Sequence, residues 1–332
     1  MVGFQGCNHI QPELREALAD NQLPARLSAT HLYLPPWPAQ SCASESIQLE
    51  PPIILSPLSH PTLYHCTPLS QAPNMSFTNA PVILLVPGAF GTPASYDPLL
   101  PYLHKAGFVT HPGPYASSNP TDPSTATCAN DIASLRDVLL PLVEQGKDVV
   151  IFAHSFGGIV AGGAAKSLDK QTRKSQGQAG GVIGLVYIAG NIVLDNESLA
   201  DVSGGQYPPF IKLDKPSKGL ALIEPAMDVL YNDCDPARTA ELTGAMVPHA
   251  YSAFETKSTA PAWADAGFDG RRAYIRTLDD CCNPVFVQDI WLERTNVQWK
   301  VIDFKTGHMP FISQPEALAS EVVQLVQGFA AL

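Results

Sequence analysis

The sequence predicts an α/β fold, a mostly parallel sheet with helices on both faces and an inserted helical cap. Three observations predict it. Short, wholly apolar runs alternate with amphipathic stretches of helical length. One of those runs ends in "FAHSFGG", a strand-to-glycine junction with no turn residues to ease it. A long aromatic, proline-punctuated segment then interrupts the alternation. Short strands that are apolar at every position are buried on both faces, as in a parallel sheet covered by helices.

Taken in order, strands are expected at 82–86 (VILLV), 148–153 (DVVIFA), 182–189 (VIGLVYIA), 272–277 (RAYIRT) and 297–303 (VQWKVID), with a weaker one near 107–111. Helices are expected at about 95–105, 127–145, 156–169, 284–294 and 314–330. Residues 191–268 break this rhythm and form the expected cap, rich in large apolar side chains such as Tyr207, Phe210, Tyr231, Phe254 and Trp263. No internal repeat is visible.

Residues 1–74 differ from the rest. They hold eleven of the 31 prolines, in phrases such as "LYLPPWPAQ" and "LEPPIILSPLSHPTL" that forbid helix and break strand patterns. The regular alternation starts with "MSFTNAPVILLVPGAFGTP" at Met75. Two units are therefore expected: a proline-rich extension over 1–74, disordered or dispensable, and a folded unit over 75–332. The rival expectation is an added edge strand from "SIQLEPPIIL".

Charge and composition exclude several classes. With a formal net charge of −11 and no cationic cluster beyond "KSLDKQTRK", neither nucleic acid nor an anionic membrane surface is an expected partner. The longest weakly polar run, "GGVIGLVYIAGNIVL", is shorter than the ~20 residues of a spanning helix. The amino terminus carries acids where a signal peptide has an apolar core. Seven cysteines at irregular spacing speak against a disulfide framework, and no pattern suggests a metal site or a cofactor. The expected setting is cytoplasmic and the expected partner a small molecule; the oligomeric state is not legible.

The chemistry centres on Ser155. In "FAHSFGG" it sits at the apex between a strand and a helix, as in the G-x-S-x-G nucleophile elbow, with Ala153 in place of the first Gly and Gly157 as the second. Helix capping by Ser155 is the bland alternative. A nucleophilic serine needs a base, and the base an orienting carboxylate; after such an elbow the chain order is acid, then histidine. Downstream stand only His249, in the cap, and His308, in "DFKTGHMPF" after the last strand; His308 is the expected base. His154 adjoins the serine and is read as structural. For the acid, "RAYIRTLDDCCNP" offers Asp279 and Asp280, with Asp303, Asp233 and Asp235 as remoter options. The oxyanion donors are expected from the N–H groups of Phe156 and of Ala89, in the loop "VPGAFGTP" where Gly88 allows close approach. "LYNDCDP" reads as a pocket wall or a helix start.

"VILLVPGAFGTPASYDPLLPYL", "VVIFAHSFGG", "TLDDCCNPVFVQDIWLE" and "GHMPFISQPEALAS" together resemble the compact α/β-hydrolases related to plant methyl esterases and hydroxynitrile lyases, fungal members of secondary-metabolite type being most similar in pattern. The resemblance spans about 80–330 and implies the α/β-hydrolase fold. It implies Ser155 as nucleophile, His308 as base, Asp280 rather than Asp279 as acid, and Ala89 and Phe156 as oxyanion donors. Pro87 stands where the plant enzymes have His, a departure that bears on substrate preference. Met309 and Gly88 occupy the places where the lyases carry Lys and Thr, which favours esterase over cyanohydrin-lyase chemistry. The expectation is a serine hydrolase of neutral, hydrophobic esters or lactones, with Phe90, Tyr231, Phe254, Trp263 and Met309 as pocket residues. The alternative is a non-hydrolytic lyase or cyclase of polyketide or other secondary-metabolite biosynthesis on the same fold.

Overall fold

The fold is that of a computed structural model, which describes residues 80–332. The expectations for residues 1–74, including the added edge strand, lie outside the described residues. Six strands form one parallel sheet: β1 (Val82–Val86), β2 (Val109–Pro112), β3 (Asp148–His154), β4 (Gly181–Ile188), β8 (Arg272–Thr277) and β9 (Lys300–Phe304). Their order is β2-β1-β3-β4-β8-β9. β1, β3 and β4 are buried almost throughout, which is why they read as unbroken apolar runs. The edge strands β2 and β9 are largely exposed and carry mixed residues, so their sequence signal is weak. β9 starts three residues later than expected, because Trp299 turns its ring into the core against Tyr187 and Tyr274 before pairing begins.

The helices between these strands are α1 (Leu100–Lys105), α2 (Cys128–Glu144), α3 (Gly157–Ala164) and α4 (Lys170–Ser175). α2 begins with a capping box between Thr127 and Asn130. The stretch expected as a helix over 95–105 divides into a 3₁₀ turn, Pro93–Tyr96, and α1, as its closely spaced prolines dictate. The one expected over 156–169 ends at Ala164, and α4 restarts after Asp169, whose side chain accepts from the Thr172 N–H. The strand order reverses between β1 and β3: β1 leads left to β2, whereas β3 leads right to β4. Right-handed crossovers then put α1 and α2 on opposite faces. The crevice that this reversal opens, at the carboxyl ends of β1 and β3, is where such sheets hold ligands.

Between β4 and β8 lies the cap, and it is not purely helical. It holds α5 (Leu199–Val202), α6 (Ala226–Val229), α7 (Thr239–Gly244) and α8 (Ser252–Glu255). It also holds an antiparallel three-stranded sheet of β5 (Ile211–Leu213), β6 (Leu220–Ile223) and β7 (His249–Ala250). These strands are two to four residues long, too short for a period-2 pattern to be visible. After β8 follow α9 (Val285–Arg294), and after β9 α10 (Pro310–Ser313) and α11 (Pro315–Ala330). Among the described residues no helix is long and apolar enough to cross a membrane. Among the described residues Cys128, Cys234 and Cys282 are free.

Candidate active site

Ser155 follows β3 with φ +49°, a left-handed conformation that a residue with a Cβ holds at a cost of roughly 1–3 kcal/mol. Three backbone bonds hold it there. Its N–H donates to Ile188 O (3.1 Å), and its carbonyl accepts from Gly158 (2.9 Å) and Asn191 (2.8 Å). The turn closes only because Gly157 has no side chain: a Cβ there would lie 2.5 Å from the Pro87 carbonyl oxygen and 2.9 Å from that of Val86. Gly157→Ala is therefore expected to destabilise the fold by about 1–3 kcal/mol, read as a lowered denaturant midpoint; an unchanged midpoint would show that the loop after β1 moves away freely.

That loop faces the elbow. A Cβ on Gly88 would meet His154 Nδ1 at 2.7 Å and Ser155 Cβ at 2.9 Å, so glycine sets the close approach. The Tyr96 hydroxyl donates to Val86 O (2.8 Å) and the Tyr115 hydroxyl to Pro87 O (2.6 Å), which fixes how the loop's peptides are turned. A Gly88–Gly91 turn follows, with Phe90 at φ +65°. Neither the Ala89 nor the Phe156 N–H donates to a described main-chain acceptor, as groups kept for an incoming oxyanion must be.

His308 is buried in the loop after β9, and its Nδ1 lies 2.8 Å from Asp280 Oδ2. Asp280 is buried too, and every acceptor position is used. Oδ2 takes the Thr277 hydroxyl (2.6 Å); Oδ1 takes the N–H groups of Cys282 (2.8 Å) and Asn283 (2.7 Å). Gln288, wholly buried on α9, ties the same turn by donating to Thr277 O (3.1 Å) and Asn283 O (2.6 Å). Asp279 is exposed, and the contact to His308 is made by Asp280. Burial alone would favour the neutral imidazole of His308, but the Asp280 carboxylate, with Cys282 beside it, outweighs that and raises its pKa above the ordinary value.

His154 donates from Nε2 to the His308 carbonyl (2.9 Å), linking the elbow to the loop of the base. Burial holds it well below its usual pKa, and the donated bond identifies the neutral Nε2–H form. The phrase "LYNDCDP" clasps the same two loops. Asp233 Oδ2 accepts from Thr306 Oγ1 (2.7 Å), the Gly307 N–H (2.8 Å) and Ser313 Oγ (2.8 Å), while Asn232 Nδ2 donates to Asp279 O (2.9 Å). His249 packs rather than reacts. Its Nε2 meets Ser117 Oγ at 2.9 Å, Ser117 donates to Asp131, and the ring stacks on Phe254 at 4.9 Å.

Ser155 and His308 line one cavity of about 620 Å³, counting its open mouth. Phe90 and Phe254 line it, and so do Tyr207 and Phe210. Tyr231, Trp263 and Met309 are not among its lining residues: all three are buried, Trp263 beside the Trp299 ring and Met309 at the start of α10. Asn191, Cys282, Asn283 and Trp291 line the cavity without having been singled out. The signal for Cys282 and Asn283 was their position just after Asp280, beyond a strand end in a sheet of this type. Among the described residues no group of three or more His, Cys, Asp or Glu side chains is placed to hold a metal ion.

A parallel sheet with a serine elbow at its switch point, a buried His–Asp pair beyond its last strands and a cap over the cavity define an enzyme of the α/β-hydrolase class. The chain belongs to the alpha/beta hydrolase family, whose profile matches residues 83–321. It is 27% identical over 254 residues to alpha/beta hydrolase nvfD of Aspergillus novofumigatus, covering 75% of this chain and 96% of that protein. It is 24% identical over 263 residues to a pyrethroid hydrolase of Sphingobium wenxiniae, covering 74% and 88%. Among solved structures, that of polyneuridine aldehyde esterase superposes with a TM-score of 0.58 at 18% identity, covering 74% of this chain and 99% of that one.

Proposed function

We propose that this hydrolase is a serine esterase, cleaving carboxylic esters or lactones of small to medium, uncharged, apolar compounds through Ser155, His308 and Asp280. The observation that carries this is the left-handed Ser155 elbow and His308, paired with Asp280, lining one cavity. The esterase and hydrolase names among its relatives support it. Among the described residues no Lys, Arg, Asp or Glu lines the cavity, which suits an uncharged substrate.

In this reading His308 takes the Ser155 proton as Oγ attacks the ester carbonyl. Asp280 holds Nδ1–H, which leaves Nε2 as the base, and stabilises the imidazolium that forms. The oxyanion settles on the Ala89 and Phe156 N–H groups. His308 then gives its proton to the leaving alcohol, and water repeats the sequence on the acyl-enzyme. Among the described residues Ser155 Oγ makes no hydrogen bond to His308; in sites of this kind that bond tightens when substrate binds.

A base works only when neutral, so kcat/KM rises as pH passes upward through the His308 pKa. Because Asp280 raises that pKa, the midpoint of the rise is expected above ~6.5, the ordinary histidine value. Steady-state hydrolysis of p-nitrophenyl esters from pH 5 to 9 checks it. A flat profile contradicts His308 as base, and turnover of a substrate with no ester cleavage points to the lyase or cyclase alternative.

A further inference from the structure

Three wholly buried polar residues outside the reacting groups form a hydrogen-bonded chain: Asp131 on α2, Ser117 after β2 and His249 on β7. Asp131 accepts the Ser117 N–H at Oδ1 (2.7 Å) and the Ser117 hydroxyl at Oδ2 (2.6 Å). Ser117 Oγ lies 2.9 Å from His249 Nε2. Burial raises the Asp131 pKa to about 6 and lowers that of His249 to about 3, so at neutral pH the acid is charged and the imidazole is not. The one hydroxyl proton goes to the carboxylate, which leaves Ser117 Oγ to accept from His249 Nε2–H. Nδ1, without a partner among the described residues, is then the bare nitrogen. The chain thus selects one tautomer and one orientation of the ring.

That ring packs against both residues on which the oxyanion donors depend. Its centroid is 5.3 Å from that of Phe156 and 5.7 Å from that of Phe90, the residue after Ala89. Tyr115, whose hydroxyl holds Pro87 O, meets it edge-on at 6.0 Å. The start of β7 also braces the oxyanion loop through the main chain, since the Val247 N–H donates to Phe90 O (3.0 Å) where Phe90 stands at φ +65°. Phenylalanine would pack among these aromatic rings without burying a bare nitrogen, which has a cost of its own. What the imidazole adds is a fixed orientation.

We infer that His249 is a positioning residue: held by Ser117 and Asp131, it fixes Phe156 and the 88–91 loop so that the Phe156 and Ala89 N–H groups meet the oxyanion. This rests on the esterase reading of the site and adds a part to it. Ser117, Asp131 and His249 are not among the cavity's lining residues, so they act through Phe156 and Phe90, which are. Misplacing such donors by about 1 Å costs up to about 10²-fold in rate, and the loss falls on the transition state rather than on substrate binding.

The test compares His249→Phe, Ser117→Ala and His249→Gln with wild type. The readouts are kcat and KM for p-nitrophenyl butyrate, thermal midpoint, and the Kd of 1,1,1-trifluorodecan-2-one by fluorine NMR. The hemiketal of that ketone with Ser155 carries the oxyanion. His249→Phe keeps the ring and removes Nε2–H; Ser117→Ala removes its acceptor; His249→Gln offers a carboxamide N–H of similar reach. In the first two, kcat is expected to fall roughly 10- to 100-fold with KM within about 3-fold, and the ketone Kd to rise by a similar factor. His249→Gln should recover most of both losses. A role in packing alone would lower the midpoint and leave kcat and the ketone Kd near wild type, and a role in the pocket wall would move KM. Either result overturns the inference, as does His249→Gln behaving like His249→Phe. If His249→Phe does not fold, Ser117→Ala decides; if neither folds, the chain holds the fold and the inference falls. Wild-type activity with unaffected variants refutes this inference alone. A wild type that neither hydrolyses the ester nor forms the hemiketal refutes the catalytic reading, and this inference with it.

Discussion

Ser155→Ala is expected to lower kcat for ester hydrolysis roughly 10⁴-fold or more, with the fold intact, and His308→Ala to do about the same. The two losses should not add, because nucleophile and base act as one unit: the double variant is expected to be about as slow as either single one. What remains is catalysis by the Ala89 and Phe156 N–H groups and by substrate binding. The Ser155 change also relieves nothing in the backbone, since alanine at φ +49° is as strained as serine. Thermal midpoints should therefore stay close to wild type, which separates lost chemistry from lost structure. Near-normal turnover by Ser155→Ala would refute nucleophilic catalysis.

The second large effect is expected from Asp280→Asn, which keeps the shape of the turn and removes its charge. Two consequences are expected. The carboxamide no longer fixes the Nδ1–H form of His308, and loss of that tautomer in comparable triads costs about 10⁴-fold in kcat. The Asp280 charge that raises the His308 pKa is also gone, so burial is opposed less and the pKa falls. The rising limb of the pH profile thus moves downward while the plateau drops. Asp279→Asn should do neither, because Asp279 is exposed and the contact to His308 is made by Asp280. A lower plateau with an unmoved limb would mean that Asp280 orients the ring without setting its charge.

Much of this was legible in the sequence, and the reasons are physical. β1, β3, β4 and β8 are buried on both faces and therefore read as apolar runs. The elbow announced itself because a serine between a buried strand and Gly157 has few structural reasons to be there. The cap was only coarsely legible: β5 to β7 are too short for any period, and their pairing is set by contacts distant in the chain. Trp263 and Tyr231 show why aromatic content does not identify a pocket, since each buries its ring in packing. Trp291 was passed over for the opposite reason: on a helix it reads as core, yet it lines the cavity. The role of Asp233 was equally hidden, as its three donors lie more than 70 residues downstream.

The central claim, an activated serine driven by His308, is tested most directly by intact mass after reaction with a fluorophosphonate, on wild type and His308→Ala, with the labelled peptide mapped. Rapid single labelling at Ser155 that His308→Ala abolishes is the predicted result. No labelling of the folded wild-type protein, or equal labelling of the variant, would contradict the account.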